Sequence, residues 1–200
     1  MKLNNKRTIL VGLAFLSICA FWQMYDSIVP LILTKTFHMN ETFSGAIMAA
    51  DNILALFLLP FFGSVSDKSH SKLGKRMPFI LFGTGCAIIL MNILPLLDNS
   101  YAAQPSGFKT ASFVIVLGLL LVAMGTYRAP AVALMPDVTP KPLRSRANAI
   151  INLMGAVGGI LYLGVAAVLY PNSKTAGLDH VNYQPLFIVV SAIMFVAVAV

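Results

Sequence analysis

Apolar residues in this chain run in blocks broken by short polar stretches. Six blocks stand out, at about 8–34, 42–62, 77–97, 112–135, 147–170 and 185–200. A helix needs about 20 apolar residues to cross about 30 Å of hydrocarbon, and the blocks reach or approach that length. Helix breakers and polar residues separate them: TKTFHMNET, a basic stretch that starts at Gly63, DNSYAAQPSG, PDVTPKPLRSR and PNSKTAGLDHVNYQ. The pattern predicts an all-α membrane protein in which residues 1–200 form one six-helix unit. The opening MKLNNKR and the apolar run behind it imitate a signal peptide. A signal core is only about 7–15 residues long, whereas this run continues to Leu33, interrupted mainly by Gln23 and Asp26. The last block stops at Val200 without a flanking charge or aromatic anchor. The expectation is a truncated sixth helix and a C-terminal half that is missing here.

Composition agrees with the pattern. Hydrophobic residues make up 58% and charged residues 10% of the chain, against about 25% charged in an ordinary soluble domain. The net charge of +7 does not point to nucleic acid, because the basic residues cluster at the ends of apolar blocks. Lys2, Lys6, Arg7, Lys68, Lys72, Lys75, Arg76, Lys141, Arg144 and Arg146 fall on one side, and Lys35, Lys109 and Lys174 on the other. The crowded side is expected to be cytoplasmic, and the N-terminus with it. Cys19 and Cys86 lie inside apolar blocks and read as small buried hydrophobes. No paired His/Cys ligand spacing, phosphate loop or HExxH is present, so neither a metal nor a cofactor is expected and an enzyme is unsupported.

A charge inside the membrane costs about 2.5–3.5 kcal/mol and normally faces protein or water. Three stand out. Asp26 shares a helical face with Cys19, Gln23, Ser27 and Pro30, flanked by Trp22 and Tyr25. A polar stripe beside aromatic rings suits the path of a polar solute such as a sugar. An interfacial Asp with Trp and Tyr as membrane anchors is the alternative. Asp51, followed by Asn52, can carry a proton or a cation, or can tie helices together by hydrogen bonds. Arg128 lies in GTYRAPAVALMPD. It needs an acid, an anionic solute or water, or else it snorkels to the basic side. Asn148, Asn152, Gly155 and Gly159 fall on one face of the fifth block, with Gly158 beside them. The GxxxG spacing favours close helix packing there, with solute contact at Asn152 as the other reading.

The basic stretch GSVSDKSHSKLGKRMPFIL joins the second and third blocks. Its pattern of Gly63, Asp67, Lys68, Gly74, Lys75 and Arg76 resembles the signature loop of the major facilitator superfamily. The longer run DKSHSKLGKRMPFI is similar to the version in glycoside–pentoside–hexuronide:cation symporters and sucrose:proton symporters. A second patch, YRAPAVALMPD followed by RSRANAIINLMGAVGGILYLG, resembles the sucrose branch at Arg128, Asp137, Arg146, Asn148 and Gly155. The resemblance implies the N-terminal half of a twelve-helix fold, built from two inverted three-helix repeats, with helices one and four lining the cavity. It also implies secondary active transport of a sugar or glycoside, by proton symport. The melibiose branch carries two acids on helix two where this chain has Ala55 and Leu59, so a sodium site is not expected. The candidate coupling residues are Asp26 and Asp51, and the candidate cavity residues are Trp22, Gln23, Tyr25, Ser27, Arg128 and Asn152, the resemblance supporting the cavity readings of Asp26 and Arg128. Gly63, Asp67, Lys68, Gly74, Lys75, Arg76, Asp137, Arg144 and Arg146 would form a cytoplasmic gate. An uncoupled facilitator, an exporter of another small polar or anionic solute, and a membrane sensor without transport stay open as alternatives.

Overall fold

The computed structural model describes residues 5–175 and 177–200, so Lys2 lies outside the described residues. Helix α1 (Asn5–Leu31) continues as a wider π turn, Ile32–Thr36. Then follow α2 (Glu41–Asp67), α3 (Met77–Ala103), α4 (Gly107–Val138), α5 (Arg144–Leu169), the single turn α6 (Asn172–Thr175) and α7 (Gln184–Ala199). Five helices are long and apolar enough to span a membrane, and α7 is a shorter apolar helix.

Blocks 42–62, 77–97 and 112–135 lie within α2, α3 and α4, block 8–34 runs from α1 into the π turn, and blocks 147–170 and 185–200 end just past α5 and α7. Helix α2 runs on past Phe62 to Asp67. The loop expected from Gly63 begins only at Lys68, because Ser64 and Ser66 donate back to the Phe61 and Gly63 carbonyls and keep the last turn closed. DNSYAA, expected in a loop, forms the last turns of α3. Asn40 caps α2 by accepting from the Thr42 amide. Pro30 lacks an N–H for the Asp26 carbonyl, and the π turn follows directly after it.

Helix α1 packs along α5 and α7, α3 along α4 and α7, and α2 along α4. The buried core lies between α1, α3, α4 and α7 and includes Phe21, Met91, Leu117, Met124 and Phe187. Helix α2 is peripheral: its apolar stretch contains no buried residue. In lipid, helices approach through small residues and polar ties. Against α1, a Cβ on Gly158 would collide with the Leu16 carbonyl, and one on Gly155 would lie 2.9 Å from Cys19 Sγ. Between α3 and α4, a Cβ on Gly83 would lie 2.7 Å from the Tyr127 backbone nitrogen. The expected glycine face of α5 is thus a packing face, with Gly158 rather than Gly159 at the closest point. Tyr127 Oη donates to the Ala14 carbonyl at 3.0 Å and lies 2.7 Å from Ser17 Oγ, tying α4 to α1. Asn92 Nδ2 donates to Ser191 Oγ at 2.6 Å, tying α3 to α7.

Replacing Gly158 by Val should lower stability by about 3 kcal/mol or more, the upper end for overpacking, because the obstacle is backbone. Gly164, also in α5, has nothing near its missing Cβ, so Gly164→Ala should leave the protein as stable or slightly more so. Thermal unfolding of the purified protein in detergent checks both.

Candidate functional site

Two polar assemblies occupy different depths of the bundle. The inner one lies where α1, α2 and α4 meet. Trp22, Asp51, Leu54, Leu58, Leu121, Gly125 and Arg128 line a narrow cleft of about 20 Å³, room for roughly one water. Helix α1 presents Trp22 and Tyr25 with ring centres 5.3 Å apart, edge to face. Arg128 Cζ lies 5.5 Å from the centre of the Trp22 ring, a cation–π contact that suits a partly desolvated guanidinium.

No hydrogen bond or ion pair holds the Arg128 guanidinium among the described residues. The buried Trp22 Nε1 and Tyr25 Oη also lack partners. Trp22 touches both the Arg128 guanidinium and the Tyr25 ring, so these three residues with unpaired donors are neighbours. Unpaired buried donors are costly, and an oxygen-rich solute or water would satisfy them. Asp51 is half-buried on the far wall, its carboxylate accepting 2.8 Å from Asn52 on the same helix.

The remaining predicted cavity residues divide. Asp26 is exposed, and Ser27 is half-buried with its hydroxyl turned back to the Gln23 carbonyl. Gln23 and Cys19 face the α5 glycines rather than the cleft. Asn152 is exposed and donates to the Asn148 carbonyl of its own helix. The stripe read as one face in α1 is thus shared between the α5 contact and an open side.

The second assembly lies at the ends of α2, α3 and α4. Arg76, only 7% exposed, is its hub. Its Nε donates to Asp137 Oδ2 at 2.6 Å, Nη2 to Asp67 Oδ1 at 2.7 Å and Nη1 to Ser66 Oγ at 2.9 Å. One planar fork holds three acceptors in two helices, which a lysine could not do. Gly74 turns the chain before it with φ +96°, a conformation that suits glycine. Arg144 caps α4, donating to the Pro136 and Thr139 carbonyls at 2.8 and 3.3 Å. Lys68, Lys72, Lys75 and Arg146 are exposed. Of the residues grouped as a gate, the structure joins Asp67, Arg76 and Asp137. Ser66, the third acceptor, was not singled out in the sequence; its spacing one residue before Asp67 was the available signal.

Long apolar helices with unpaired polar groups between them define a multi-pass integral membrane protein. The Major Facilitator Superfamily profile matches residues 11–200, and the chain belongs to that family, one of membrane transporters and not of enzymes. It is similar to sucrose transport protein SUC3 of Arabidopsis thaliana, 35% identical over 158 residues that cover 73% of this chain and 26% of that protein. It is 36% identical to sucrose transport protein SUT3 of Oryza sativa subsp. indica over 154 residues, 70% of this chain and 30% of that protein. It is 25% identical to the alpha-ketoglutarate permease of Escherichia coli (strain K12) over 179 residues, 88% of this chain and 38% of the permease. The chain therefore spans well under half the length of each. No solved structure matches it.

Replacing Arg76 by Ala should cost about 1–3 kcal/mol, less than a fully buried pair because Asp67 and Asp137 are 56% and 39% exposed. Arg76→Lys should recover less than half of that loss. Unfolding midpoints of the three proteins test this, and a full rescue by lysine would refute the fork geometry.

Proposed function

We propose that this chain is the N-terminal six-helix half of a secondary active transporter that carries a sugar or glycoside together with a proton by alternating access. The observation that carries the reading is Arg128 over the Trp22 ring, without an acid, beside the unpaired Trp22 N–H and Tyr25 O–H. Hydroxyl-rich solutes offer acceptors for all three donors and apolar ring faces for the two aromatics. The sucrose transport proteins among its relatives support a sugar as the solute class. Asp26 and Asp51 would carry the coupling proton, with Asp51 across the cleft from Arg128. Sodium is disfavoured by Ala55 and Leu59 on α2. The cycle needs a second six-helix half, and the N-terminus and the Arg76 end would face the cytoplasm of a cell whose plasma membrane holds the protein.

In this scheme the Arg76 fork latches the cytoplasmic side and does not touch the solute. Asp67→Asn would then lower the transport rate with little change in substrate affinity.

The unpaired guanidinium favours a second reading, a carboxylate solute bound in salt-bridge geometry. The alpha-ketoglutarate permease among the relatives supports it. Uptake by the intact protein in liposomes, with sucrose, other glycosides and dicarboxylates in competition, separates the two. For the first reading, an inward proton gradient should drive uphill sugar uptake. Asp26→Asn or Asp51→Asn should abolish accumulation while leaving downhill exchange measurable, and Trp22→Ala should raise KM about tenfold, the loss of one ring-stacking contact of about 1.4 kcal/mol. Undiminished uphill uptake in both Asp variants would overturn proton coupling through these acids. Solute flow without proton flow would make the protein a facilitator.

A further inference from the structure

At the end of the bundle opposite Arg76, a buried carboxylate faces a histidine in a way that the transport reading does not use. Asp98 lies near the end of α3 and has no solvent exposure, yet neither of its oxygens has a hydrogen-bond partner among the described residues. The basic group beside it is His180, in the connection between α6 and α7. Its Nδ1 lies 3.7 Å from Asp98 Oδ2 and 3.3 Å from Thr36 Oγ1, at the π end of α1.

The other ring nitrogen is fixed by a relay that starts at the backbone. The Gln184 amide, at the start of α7, donates to Asn182 Oδ1 at 3.0 Å. That oxygen also accepts Asn99 Nδ2 at 3.0 Å. The Asn99 amide is therefore oriented with its oxygen toward His180 Nε2, 3.0 Å away. An amide oxygen only accepts, so Nε2 carries the hydrogen in either charge state. Nδ1 is left as the atom that gains or loses a proton, and it is the one turned to Asp98. A shift of under about 1 Å would bring it to the usual N–H···O⁻ distance of about 2.7–2.9 Å.

Thr36, packed against the same carboxylate, offers it only a neutral hydroxyl. Lys35 and His38 from the end of α1, Tyr101 from α3 and Asp179 from the connection line the open pocket next to His180. Lys109 of α4 is held by the Ser100 and Gln104 carbonyls. Burial first, then the Asp98, Tyr170 and Tyr162 side chains, push the Tyr183 phenol up from its usual value, so it stays neutral.

We propose that His180 Nδ1 and the Asp98 carboxylate form a proton-binding site that fastens the α6–α7 connection to the ends of α1 and α3. A proton taken from water by Nδ1 gives the unpartnered carboxylate a charged donor. Its departure leaves a buried charge with no counter-ion, which favours release of the connection. The fastening holds while the pair carries the proton and weakens as pH rises and the proton leaves. On the proposed topology this end faces outward, so the site reports external pH.

The test is amide hydrogen exchange of residues 177–183 in the intact protein in lipid nanodiscs, corrected for intrinsic rates, between about pH 6 and about pH 8.5. Protection should fall about tenfold with rising pH as the buried carboxylate loses its charged donor. His180→Gln, which keeps a donor for Asn99 but cannot titrate, should give protection independent of pH. Asp98→Asn should do the same, so the test survives if one variant fails to fold. Flat protection in the wild type, or a wild-type slope in either variant, would overturn the proposal.

Discussion

Lipid tails are as apolar as leucine, so a helix gains no hydrophobic energy by leaving them for another helix. What holds this bundle is therefore close approach of backbones. Gly158 and Gly155 let α5 lie directly on the Leu16–Cys19 turn of α1, and Gly83 lets α3 lie on the Tyr127 backbone of α4. Tyr127 then joins the two pairs by donating to Ala14 on α1. The rotation of α1 about its axis follows from these contacts. With the Cys19 and Gln23 side held by α5, Trp22 is directed at α4, where Arg128 meets it. A looser α1–α5 contact would let that ring turn away and leave the guanidinium with no partner.

The two polar assemblies solve the problem of buried charge in different ways. Arg76 is saturated by three acceptors in fixed directions, which favours one arrangement of α2, α3 and α4. Arg128 touches only a ring face, a contact that is tolerant of direction and leaves its N–H groups free. A saturated ion holds helices together, whereas an unsaturated one is suited to binding something that comes and goes. Helix α2 contributes to both, through Asp67 and Asp51, while its apolar stretch is otherwise unburied. It is the element best placed to relate one assembly to the other.

Much of this was legible in the sequence. Runs of apolar residues pointed to the five long helices and the shorter α7, because length against bilayer thickness is a crude but strong constraint. The charged residues in those runs, Asp26, Asp51 and Arg128, were visible for the same reason. Helix ends were not, since Ser64 and Ser66 extend α2 by hydrogen bonds that hydropathy does not register. The facing of α1 was also misread in part. Helical spacing groups Cys19, Gln23 and Asp26, but it cannot say that glycines on α5 claim the first two. The pairing of Asp98 with His180 had no local signal at all. The two are 82 positions apart in the chain, and a histidine in a loop looks the same with or without a buried carboxylate beside it.

The contact between α1 and α5 also bears on how the protein is made. Helix α1 leaves the ribosome well before its partner, which begins more than a hundred residues later in the chain and enters the bilayer near the end of synthesis of this unit. Until then the first helix must wait in lipid with Gln23 and the Trp22 and Tyr25 donors facing hydrocarbon or an insertion factor. Its native neighbours can close around it only after three intervening helices have been threaded. Biogenesis of this bundle is thus limited by the late arrival of a small, glycine-bearing surface, and a slowed or mistimed α5 would expose α1 to quality control.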